Sequence, residues 1–89
     1  MRRVTVDAAL WQSREELHRD LREKLSFPDY YGNNLDALHD MLTECRDTEL
    51  TVLNAFSMYQ VFGEWASRFF NVLLDSAEEN HSFSLKLKS

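Results

Sequence analysis

Leu25-Ser26-Phe27-Pro28-Asp29-Tyr30-Tyr31-Gly32-Asn33-Asn34-Leu35-Asp36-Ala37-Leu38-His39-Asp40-Met41-Leu42 is the stretch on which the fold turns. Its first half ends one helix and its second half begins another. Phe27-Pro28 stops the first, because the residue before a proline is pushed out of the α region. Gly32 supplies backbone freedom for the turn. Asn33 or Asn34 then caps a helix over about 34–44. Leu35, Leu38 and Leu42 recur at helical spacing and should face a core.

Upstream, Ser13-Arg14-Glu15-Glu16 is a capping box, with serine at the cap and glutamate three residues on. It predicts a helix over about 14–25, with Leu17, Leu21 and Leu25 as the buried stripe. Val4 and Val6 alternate around Thr5 and predict a short first strand. Downstream, Leu50-Thr51-Val52-Leu53 predicts a buried strand. A short helical turn should carry Phe56, Tyr59 and Phe62. Gly63 separates it from a helix over about 64–79, lined by Trp65, Phe69, Val72 and Leu73, with Phe70 and Leu74 widening the stripe. Asn80 is a candidate left-handed terminator. Phe83, Leu85 and Leu87 alternate with polar residues as a half-buried last strand. The strands are separated by long helical crossovers, which parallel pairing requires. The expected fold class is therefore α/β, in two layers, with a three-stranded parallel sheet and three to four helices on one side. Lys86 and Lys88 are candidates to guard an exposed edge.

Eighty-nine residues make one small domain. No apolar run approaches a membrane span. Met1-Arg2-Arg3-Val4 lacks the apolar core of a secretion signal. Cys45 is the single cysteine, so no internal disulfide forms. These features fit a cytoplasmic protein. A net charge of −5 argues against nucleic-acid binding.

The charge is also unevenly placed. Residues 26–49 carry Asp29, Asp36, Asp40, Glu44, Asp47 and Glu49 against one base, Arg46, and so hold a net −5, equal to that of the whole chain. Asp36, Asp40 and Glu44 fall at i, i+4 and i+8 as one uncompensated row. Like charges at this spacing disfavour a helix by roughly 0.2–0.5 kcal/mol per pair. Such a row is either a solvated face or a surface kept acidic for a cationic partner. Tyr30, Tyr31 and His39 beside it favour the partner, because aromatics with polar tips are interface material. At least one of the two tyrosines should instead anchor the loop in the core.

Over residues 25–42 the chain resembles the barstar family, intracellular inhibitors of the secreted ribonuclease barnase. The spacing of Pro28, Tyr31-Gly32, Leu35-Asp36-Ala37-Leu38 and Asp40-Met41-Leu42 carries the resemblance. The order of elements extends it to nearly the full length. The resemblance implies a barstar-like fold, no catalysis and no cofactor. It also implies a 1:1 complex with a cationic, barnase-type ribonuclease; the default expectation for the free chain is a monomer. It places Asp40 in the phosphate position of the enzyme's active site, with Tyr30, Gly32, Asn34 and Asp36 as further contacts. His39 and Cys45 stand where the founding member has tryptophans, and Ser76 where it has a contacting glutamate. Asp75 could replace that glutamate only by a rotation or relaxation of the helix. The expected binding set is Tyr30, Tyr31, Gly32, Asn34, Asp36, His39, Asp40, Glu44, Cys45 and Ser76.

Other chemistries find less support. No serine stands in a nucleophile motif, and His18, His39 and His81 lie on different elements. The acidic row could offer only open, monodentate coordination to a metal. Gly32 and Gly63 are solitary, so no phosphate loop exists. The alternative with substance is an immunity or interaction module for a different toxin or host protein. In either case Asp40→Ala should weaken binding far more than Glu16→Ala or Glu79→Ala.

Overall fold

A computed structural model describes residues 1–89. Three strands, β1 (Arg2–Asp7), β2 (Thr48–Leu53) and β3 (Phe83–Leu87), form one parallel sheet in the order β1-β2-β3. Four helices connect them: α1 (Arg14–Lys24), α2 (Leu35–Glu44), α3 (Met58–Phe62) and α4 (Trp65–Glu79). Single 3-10 turns at Ala8–Leu10 and Ala55–Ser57 follow β1 and β2. The α/β architecture and parallel sheet match the sequence reading.

The register aligns Val4 with Leu50 and Leu85, and Val6 with Val52 and Leu87. This face turns to the helices. Leu17 and Leu21 of α1, Leu38 and Leu42 of α2, and Phe69 and Leu73 of α4 are fully buried with Leu50 and Val52. The opposite face carries Arg3, Glu49 and Lys86. Glu49 on the central strand meets Lys86 at 2.9 Å and Arg3 at 3.4 Å. The Lys86 hydrogen bond holds the Glu49 carboxyl below its usual range. Lys86, exposed on the edge strand β3, thus bridges to the central strand.

Strands β1 and β2 are both longer than the apolar pattern suggests. Arg2 N–H donates to the Asp47 carbonyl (2.6 Å) and Thr48 N–H to the Ser82 carbonyl (2.9 Å), so the ladder extends beyond the apolar residues. The first helix does not wait for Phe27-Pro28 to end. Ser26 takes a left-handed φ of 58°. Phe27 N–H donates to the Arg22 carbonyl and Ser26 N–H to that of Glu23. This is a Schellman closure with serine in the position glycine usually takes. Asn80 is not left-handed. Its φ is −122° and its work is done by its side chain, described below.

Candidate protein-binding surface

Asn34 caps α2: its Oδ1 accepts from Ala37 N–H at 2.8 Å, and its Nδ2 donates to the Gly32 carbonyl at 3.2 Å. The left-handed residue of this turn is Asn33 (φ 53°), and Gly32 is not among the positive-φ residues. Gly32 sits close against the cap. A Cβ there would lie 3.3 Å from Asn34 Nδ2 and 3.4 Å from Ala37 Cβ, crowding the cap.

The two tyrosines separate. Tyr30 is 81% exposed, whereas Tyr31 is 5% exposed and packs against Phe27. The Tyr31 hydroxyl shares a 2.7 Å hydrogen bond with His18 Nδ1 of α1. Burial raises the Tyr31 pKa. Burial, with the neighbouring Arg14 cation, lowers that of His18. The pair is therefore neutral and structural, and Tyr31 offers no surface to a partner. It fixes the loop that presents Tyr30 and Asn34.

Along α2, Asp36, Asp40 and Glu44 are exposed. None has a basic group within 4.0 Å. Leu38 and Leu42 on the other side are buried. The helix thus has one face in the core and one acidic row outside. His39 is partly buried, and its Nε2 pairs with Glu79 Oε2 at the end of α4. Asp75, Glu78 and Glu79 line a recess of about 380 Å³ beside His39. Asp75 faces that recess with no rotation of its helix. Ser76 is fully buried and donates to the Val72 carbonyl at 2.7 Å, so it lies beneath the surface. Cys45 is half-buried at the end of α2, and burial pushes its thiol pKa up. Of the expected set, then, Tyr30, Gly32, Asn34, Asp36, Asp40 and Glu44 are exposed, His39 and Cys45 are partly buried, and Tyr31 and Ser76 are buried.

Glu79 is the residue that sequence reasoning missed. The signal was present as Asp75, Glu78 and Glu79 with no base in the last turn of α4. It also follows that Glu79→Ala is no remote control, since Glu79 holds a surface histidine. Glu16 lies away from this site, on α1, and remains one.

Helices α2 and α4 run alongside in the same sense. Asn33 and Asn34 lie near Trp65 and Arg68, at the start of α4. At the other end, Asn80 Nδ2 donates to the carbonyls of Leu42 (2.9 Å) and Cys45 (2.8 Å). Neither helix has a base in its last turn, and both end acidic against the helix dipole. Acids and negative dipole ends coincide at one edge of the molecule. A surface built this way attracts cations. No group of three or more His, Cys, Asp or Glu side chains converges to hold a metal. No helix is long and apolar enough to cross a membrane.

Comparison with known proteins agrees with this geometry. The family model described as Barstar (barnase inhibitor) matches residues 1–88. A Bacillus subtilis (strain 168) protein named "Putative ribonuclease inhibitor YrdF" is 44% identical over 81 residues, covering 89% of each chain. With the parallel three-stranded sheet and the acidic α2 in place, the match over nearly the whole length means that this chain belongs to the barstar family.

Proposed function

We propose that this protein inhibits a secreted, guanyl-specific ribonuclease of the barnase type by occupying its active site in a 1:1 complex. The observation that carries the reading is the exposed row Asp36, Asp40 and Glu44, held on a rigid helix without a cation of its own. A ribonuclease site is built to hold phosphates and developing negative charge. A carboxylate on α2 can enter such a site in place of the phosphate. Its desolvation is costly unless several cations and hydrogen bonds meet it, so affinity and selectivity arise together. Asp40, central in the row, is the residue for that role. Asp36 and Glu44 flank it and steer the approach. Tyr30, 81% exposed, supplies apolar area at the edge. Family membership and the inhibitor named among its relatives support the same role.

The test is to mix the protein with a guanyl-specific bacterial ribonuclease and follow RNA cleavage. Inhibition complete near one equivalent is expected. Unchanged cleavage in excess protein would contradict the reading. The His39–Glu79 pair favours, as a second reading, the same surface directed at a different cationic toxin. A pull-down from the protein's own organism distinguishes the two.

A further inference from the structure

Imidazole is the side chain whose charge ordinarily changes between about pH 5 and 8, and His39 sets one inside the acidic edge. Asp36 lies three residues before it, a neighbour on the helix surface, and Asp40 follows it directly. From α4, Asp75, Glu78 and Glu79 complete the wall of the recess that His39 borders. None of these acids has a lysine or arginine within 4.0 Å. Helices α2 and α4 add their negative ends, with no base in either last turn. Carboxylates thus face the ring from both helices, and no fixed cation balances them. The side chain is 35% exposed, and Glu79 Oε2 holds its Nε2 at the seam between the helices. An Nε2–H donates to that oxygen whether the ring is neutral or charged. The contact therefore survives titration, and what changes is the charge of the surface.

We propose that His39 is a proton-linked specificity residue of the binding surface: the cationic cleft closes over α2 when the ring is neutral, and acid releases it. The nature of the partner rests on the inhibitor reading. A cleft that takes up Asp40 brings its cations against the neighbouring His39 and against the α4 acids beyond it. A neutral ring leaves those acids to the partner. A protonated ring repels the partner's cations and engages Glu79 in a charge-assisted bond. Proton and partner therefore compete for the same carboxylates. The coupling is reciprocal, so that complex formation expels the proton from His39. Glu79 acts here as a positioning residue, keeping the imidazole at the seam.

The test is calorimetric titration of a guanyl-specific bacterial ribonuclease with the intact protein and with His39→Gln, from about pH 8 to 5.5, across the imidazole range. Circular dichroism checks the fold at each pH. Glutamine keeps a donor for Glu79 and takes no charge. Altered shape alone would therefore shift affinity equally at every pH. The enzyme's own titrating groups, and His18, are common to both titrations and cancel in the ratio of association constants. That ratio, His39→Gln over wild type, should rise about tenfold toward the acid end, as removal of one opposing charge does. In the middle of the range, paired buffers of different ionisation heat should show a proton released on binding by wild type and a smaller release by His39→Gln. His81 is exposed two residues past Glu79. His81→Gln should follow the wild-type pH profile. A His39→Gln ratio that stays constant or falls toward acid would overturn the proposal while leaving the inhibitor reading intact. So would a ratio that rises equally for His81→Gln. Absence of any complex at the alkaline end would sink the inhibitor reading, and this proposal with it.

Discussion

Tyr31 and Tyr30 are adjacent, yet one is buried in the core and the other is exposed. The sequence shows two tyrosines beside a glycine and implies that one is buried. It does not say which, because a loop has no periodicity to assign faces. The answer lies 13 residues away, at His18. Tyr31→Phe removes a buried hydroxyl and leaves His18 Nδ1 without its partner. It should lower stability by about 1–3 kcal/mol, read as a shift in the urea midpoint. No shift would mean that the pair contributes nothing. His18 also makes stability depend on pH. Its folded pKa lies below its ordinary value of 6.5. Below about 6.5 the unfolded chain therefore binds more protons than the folded one. The contribution is full above that value and is lost as pH falls toward the lowered folded pKa. Thermal melts from pH 7.5 downward should show this decline, and His18→Gln should flatten it. The depressed carboxyls of Asp7 and Glu49 act lower, starting from 3.8 and 4.5. An unchanged slope in the variant would assign the decline elsewhere.

At the scale of elements, α2 is fixed at both ends. Asn34 caps its start, and Asn80 holds its last carbonyls from across the molecule. Asn80→Ala leaves the part-buried Cys45 carbonyl without a donor and the Leu42 carbonyl with only the Cys45 N–H. It should cost about 1–3 kcal/mol and loosen the acidic end of the helix, seen as faster amide exchange near Leu42 and Cys45. Exchange confined to its wild-type rate would contradict that role. Element positions were legible because apolar spacing and capping residues are local signals. Ser13, Asn34 and the leucine stripes are cases where local chemistry and tertiary structure agree. Asn80 and Gly32 are cases where they do not. Asn80 reads as a helix terminator until the helix it tethers, more than thirty residues earlier, is seen. Gly32 reads as a flexible turn residue, but its φ is not positive and it sits close against the Asn34 cap. Ser76 and Cys45 were expected at the surface through alignment alone, and helical packing turns Ser76 inward.

Across the whole molecule, charge is arranged on one face. Acidic side chains and the negative ends of α2 and α4 lie at one edge, and Arg14, Arg68 and the positive ends at the other. The acidic half was visible in the sequence, where residues 26–49 carry its larger part. The contribution of α4 required the fold, since Glu79 and His39 are forty residues apart. Long-range attraction to a cationic ribonuclease should make association salt-sensitive. Stopped-flow rates should fall about tenfold or more from low to high salt as screening shortens the reach of the charges. A rate indifferent to salt would show that the acidic edge does not guide encounter. The most direct test of the central claim is the dissociation rate of the complex for Asp40→Ala beside Glu16→Ala, on protein shown to be folded. Asp40→Ala should release the ribonuclease on the order of a hundredfold or more faster, because it empties a buried charge pair, with Glu16→Ala close to wild type. Equal rates for the two variants would mean that α2 does not enter the enzyme's site.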